Sequence, residues 1–148
     1  MNVSRRELCL LAPALAAVSL ATRAEGAELP AKAYPFGHLT AQHHDGSKSW
    51  PVLNGETHSG FHIELHETEL EPGARPHPPH RHVHEEIFLI REGTVTVTLA
   101  GNKTELGPGS VAYVDSGVLH GIVNTGRSNA AYFVIALGTD AARQPGGR

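Results

Sequence analysis

Three features of this sequence predict a single all-β domain: regularly spaced turn signals, short runs alternating with a period of two, and no sustained helical stripe. Turn pairs stand at Asn54-Gly55, Ser59-Gly60, Pro72-Gly73, Glu92-Gly93, Gly101-Asn102, Gly107-Pro108-Gly109, Ser116-Gly117 and Thr125-Gly126. After Gly93 they recur every eight or nine residues, the spacing of short antiparallel strands. With 148 residues the chain has room for one such domain, and a sandwich, a jelly roll or a small barrel would satisfy the pattern.

Residues 1–24 read as an export signal rather than as part of the fold. Ser4-Arg5-Arg6-Glu7 precedes a mostly apolar run from Leu8 to Ala21, which ends in Thr22-Arg23-Ala24. That run has 14 residues, short of the roughly 20 a membrane-spanning helix needs. A charged start, an apolar middle and a small-residue end match an export signal, with cleavage expected after Ala24 or, failing that, after Gly26. The paired arginines resemble the twin-arginine type; a generic secretion signal would use them only as positive charge. The expected location is therefore the periplasm or the medium outside a bacterial cell. The single cysteine, Cys9, falls inside the signal, so the remaining chain relies on its core and on any metal rather than on disulfides.

Residues 25–48 are polar with weak periodicity and read as an N-terminal arm or linker. Strand and turn alternate across 49–138, the expected barrel. Phe61, Ile63 and Leu65 alternate with His62, Glu64 and His66, and the polar set reads as a solvated face rather than a second site. Thr94 to Leu99 alternates strictly and is rich in β-branched residues. Tyr132 to Leu137 is an apolar run suited to a strand covered on both faces. Residues 139–148 read as a flexible tail. Without residues 1–24, nine basic and fourteen acidic residues leave a net charge of −5. That argues against nucleic-acid partners and, once the signal is removed, against a membrane anchor.

The chemistry gathers in the histidines. All 11 follow the signal, and four crowd into His77-Pro78-Pro79-His80-Arg81-His82-Val83-His84. On a strand, His80 and His82 would project to one face about 6.6 Å apart along the backbone, so that both rings reach one ion. Glu86 follows on the next strand. Taken singly, Glu86 would read as a surface carboxylate and His120 as a core histidine.

Taken together they form a pattern that resembles the cupin family. Gly73, His80-x-His82, Glu86 and Gly93 are similar to its first motif. Gly109, Asp115-Ser116-Gly117, His120 and Asn124 are similar to its second. Gly73 lies six residues before His80 where five are usual, and Asp115 replaces the usual Pro; both departures fall in turns. The resemblance implies a double-stranded β-helix jelly-roll barrel of the RmlC-like kind. It also implies one divalent transition metal (Fe, Mn, Ni, Co, Cu or Zn) held by His80, His82, Glu86 and His120. His84 is expected where the hairpin turns, either structural or an outer partner of a ligand rather than a ligand itself, and His77 at the rim. Tyr113, Tyr132 and Phe88 are expected in the core.

Two functions remain open at this level. One is a metal-dependent enzyme, a dioxygenase, isomerase, decarboxylase or lyase, acting on a small organic acid, enol or sugar derivative. The other is a non-catalytic module that binds a small molecule or a metal ion. Homodimer formation is left open.

Overall fold

The computed structural model describes residues 28–138. The expected export signal and the expected tail lie outside them. Among the described residues the regular structure is strand, apart from one short 3-10 turn at Phe36–His38. The strands are β1 (Gln42–His44), β2 (Ser47–Glu56), β3 (His62–Leu70), β4 (Glu85–Glu92), β5 (Val95–Leu99), β6 (Asn102–Leu106), β7 (Val111–Val114), β8 (His120–Asn124) and β9 (Ala130–Leu137). They form two antiparallel sheets, one ordered β1-β2-β3-β9-β4-β7 and the other β6-β5-β8. This is the predicted all-β jelly roll. The larger sheet begins at Gln42, inside the segment read as an arm. β1 is a three-residue, wholly exposed edge strand, so it carries no apolar alternation to announce it.

The core lies between the sheets. Phe88 and Ile90 of β4, Tyr132 and Val134 of β9 and Leu70 of β3 face Val95 and Val97 of β5 and Ile122 of β8. The strict alternation of β5 gives its buried Val95 and Val97, and Ala100-Gly101 closes a two-residue hairpin onto β6 with φ positive at both positions.

Two expectations about faces are overturned. On β3 the polar residues point inward: His62 and Thr68 are buried, and Glu64 and His66 line the barrel cavity, whereas Phe61 is exposed. The reason is that the barrel is hollow at this end. A wet cavity tolerates polar side chains that a filled core would exclude. Tyr113 is likewise on the outside, 55% exposed, while Phe88 and Tyr132 are buried as expected.

Candidate metal centre

His80 and His82 do not lie on a strand. Pro78 and Pro79 have no N–H to give a ladder, and the segment before β4 runs as a loop. It is nevertheless fixed at several points. His80 and His120 exchange both backbone hydrogen bonds at 3.0 Å, forming an isolated antiparallel bridge. The Gly117 N–H donates to the His82 carbonyl at 2.8 Å, and the Arg81 guanidinium donates back to the Gly117 carbonyl. Pro79 packs on Gly121, where an added Cβ would meet it at 3.2 Å. The loop that carries the HxH pair is thus laced to the turn before β8 and to β8 itself.

Strand parity aims the other two ligands. Glu86 precedes Phe88 and Ile90 by steps of two on β4, so its carboxylate points inward with them. His120 shares the inward face of β8 with Ile122 and Asn124. The structure thus brings all four expected ligands into one neighbourhood. Ring nitrogens of His80, His82 and His120 lie within 4.8 Å of one another. His82 Nε2 is 3.2 Å from His120 Nε2. Glu86 reaches both rings, Oε1 at 3.3 Å from His82 Nε2 and Oε2 at 3.4 Å from His120 Nε2.

His84, in the bend just before β4, belongs to this neighbourhood too. It is buried at the foot of β4, its Nε2 is 3.2 Å from Glu86 Oε1, and its ring stacks on His82 with centroids 3.6 Å apart. His82, His84 and Glu86 form a second set of donors within 4.8 Å. His77 is exposed at the cavity mouth, with its ring edge against His80.

The donor chemistry fits a cation. His82 Nδ1 lies 2.8 Å from the His84 carbonyl, and His120 Nδ1 lies 2.9 Å from the Val118 carbonyl. A carbonyl only accepts, so both Nδ1 atoms donate, and the Nε2 atoms of the neutral rings carry lone pairs. With both rings neutral, two lone pairs and a carboxylate converge, an arrangement that a metal ion resolves and that, without one, a proton on His120 Nε2 relieves. Outer hydrogen bonds of this kind are what orient metal-binding histidines. His80 adds a buried Nδ1 with no hydrogen-bond partner among the described residues.

Titration follows the same logic. Burial lowers His80 from 6.5 to about 4, with His77, His120 and His82 adding to the effect. Burial also lowers His82, against the pull of Glu86. For Glu86, burial alone would raise the value, but hydrogen bonds from His120 and His84 and the nearby His82 carry it well below the ordinary carboxylate range. For His120, burial lowers the value, yet the Glu86 and Val118 hydrogen bonds outweigh it and the net shift is upward. The cluster accepts one positive charge beside Glu86 and resists more on His80 and His82.

The centre opens into the barrel. A cavity of about 620 Å³ is lined by His80, His84, Glu86 and His120 and also by Glu64 and His66. Phe88, Tyr132 and Val134 contribute to its wall, and burial raises the Tyr132 phenol well above its usual value. The volume is in the range of small-molecule sites.

Residues 66–136 match the cupin domain family. No curated protein matches the chain in sequence. Among solved structures, KdgF from Halomonas sp. is 19% identical with a TM-score of 0.64, covering 75% of this chain and 97% of its own. The polyketide cyclase RemF from Streptomyces resistomycificus is 21% identical with a TM-score of 0.62, covering 73% and 80%. A predicted oxalate decarboxylase from Thermotoga maritima is 19% identical with a TM-score of 0.61, covering 73% and 100%. At these identities the likeness concerns the fold, and it agrees with the two sheets described above. Residues 66–136, which hold all four expected ligands, are thus similar to the cupin domain family, and the fold is that of its solved members.

Proposed function

We propose that the protein is a metal-dependent enzyme that acts on a small organic acid, enol or sugar derivative inside the barrel. His80, His82, Glu86 and His120 would hold one divalent transition metal. The observation that carries this reading is the 3.2 Å approach of His82 Nε2 to His120 Nε2, with both Nδ1 atoms committed to backbone carbonyls. Imidazole and carboxylate donors suit Mn, Fe, Co, Ni, Cu or Zn. An ion bound there supplies Lewis-acid polarisation and a template for oxygen ligands. His84, hydrogen-bonded to Glu86, would hold the carboxylate in position. The cavity beside the cluster supports catalysis over simple metal storage, because it gives a substrate room. The cyclase and the predicted decarboxylase among the structural neighbours support chemistry on small oxygen-rich compounds.

Metal analysis of the purified protein, followed by a substrate screen with the metal retained, tests this. About one ion per chain and turnover of a small acid are expected. A metal-bearing protein that binds such compounds without converting them would leave the non-catalytic module as the function. We also propose export to the periplasm or beyond, supported by Arg5-Arg6 and the apolar run Leu8 to Ala21. Replacing both arginines with Lys should abolish export; normal export of that variant would rule out the twin-arginine route.

A further inference from the structure

The cavity that holds the histidine cluster also carries a carboxylate–imidazole pair for which the metal has no use. His66 Nδ1 lies 2.9 Å and 3.0 Å from the two Glu64 oxygens. A carboxylate accepts, so Nδ1 donates, and Nε2 is left as the basic nitrogen with no hydrogen bond to a described residue. The two side chains are 28% and 21% exposed, and both line the cavity that holds His80, Glu86 and His120. On an outer strand face such a pair would be an ordinary surface contact. Here the sheet register places it inside.

Register also sets the span. Glu64 of β3 and Glu86 of β4 both pair with Ala136 of the intervening β9. The two carboxylates therefore start from one row of the sheet, on one face, about 10 Å apart along the strand-to-strand direction. Ala136 between them contributes only a methyl group, so no side chain fills the interval. His66, Val134 and Phe88 form the next inward row.

We propose that Glu64 and His66 form the proton-transfer pair of this cavity. The substrate class is a small carbon acid with two adjacent oxygens to meet a metal and an acidic C–H beside them. The proposal rests on the metal reading for where the substrate sits, but not for the pair itself. In the step, His66 Nε2 takes the proton from the substrate carbon. The C–H electron pair moves into the adjacent carbonyl to give the enolate. Glu64 balances the imidazolium through Nδ1, as a buried carboxylate orients a catalytic histidine elsewhere. The same proton, or one exchanged with solvent, then returns to carbon, His66 is neutral again, and no oxidant or leaving group is needed.

Pyruvate, which has this donor pattern, serves as the test compound. Loss of its methyl protons in D2O is followed by proton NMR with the protein at its measured metal content. Wild type should catalyse exchange. His66→Gln should slow it by about 100-fold or more, the scale of one acid–base group, while keeping the wild-type metal content. His66→Ala should regain exchange when free imidazole is added, which a merely structural role would not allow. Nitrogen-15 NMR should show His66 protonated at Nδ1, and Glu64→Gln should weaken that preference. Metal-bearing wild type without exchange, an unaffected His66→Gln variant, or an Nε2-protonated His66 would each overturn the proposal. Wild type that retains no metal would overturn the metal reading and the substrate placement with it, an outcome distinct from those three.

Discussion

His82 and His120 meet nitrogen to nitrogen, and Glu86 touches both rings. Loss of one of these donors should therefore be felt by the ion directly. His82→Ala and Glu86→Ala should lower metal content far more than His84→Ala, whose removal should cost about 10- to 100-fold in affinity as an outer hydrogen-bond partner does. Equal metal loss in the His84 variant would make His82, His84 and Glu86 the ligand set. Proton competition gives a second prediction. His80 falls to about 4 in the metal-free fold, below its ordinary 6.5. A lowered value means stability present above 6.5 and lost as pH falls through about 4. Glu86, lowered too, loses its contribution in stronger acid. His120, raised, works in the opposite direction: its contribution is present below 6.5 and fades as pH rises through the raised value. Denaturant melts of the metal-free protein should show an acid loss between pH 6.5 and 4 that His80→Gln reduces. At this scale the gathering of His80, His82, Glu86 and His120 was legible because two spaced motifs coincided. Glu64 and His66 were not, because alternation reports two faces without saying which one surrounds a cavity.

Strands place the site, and a few positions hold the strands. Gly93 ends β4 with φ +75°, and a Cβ there would lie 2.6 Å from the Ala130 Cα and the Asn129 carbonyl. Backbone strain and collision act together, so Gly93→Ala should destabilise by about 2 kcal/mol or more, read as a shift in denaturation midpoint. Asn124 is fully buried at the end of β8. Its amide donates to the Leu70 and Ser128 carbonyls at 2.9 Å, and its oxygen accepts from the Gly126 N–H at 2.9 Å. Asn124→Ala removes these three hydrogen bonds, leaving the Gly126 N–H only the Thr94 carbonyl at 3.1 Å, and should cost about 2–3 kcal/mol with little change in metal content once folded. Strands such as β5 and β9 could be read from the sequence because β-branched alternation and a long apolar run have few other uses. The HxH loop could not. Two consecutive prolines deny it a ladder, and what holds it is contact with a segment some forty residues away.

For the whole barrel, metal and fold are separable. The core between the sheets is built from side chains such as Leu70, Ile90, Val97 and Tyr132, none of which is an expected ligand. The metal-free protein should therefore still melt cooperatively, unlike a zinc finger. Free metal at about 100 times its dissociation constant should add roughly 2.7 kcal/mol. Because the rings must be neutral to bind, the metal-induced rise in Tm should be larger at pH 8 than at pH 5; an equal rise would refute histidine ligation. The order of the larger sheet bears on how the molecule is made. β3 and β4 are joined in backbone hydrogen bonding only through β9, and Leu70 pairs with Ala130, sixty positions further on. At about 5–20 residues per second, a ribosome needs roughly 3–12 seconds to travel from one to the other. Until then the sheet exists as two unjoined pieces with open edges, and the cavity has no floor. Synthesis must run almost to the end of the barrel before the site can exist at all, so a nascent chain stalled before Ala130 should hold no metal and should be a natural client for chaperones.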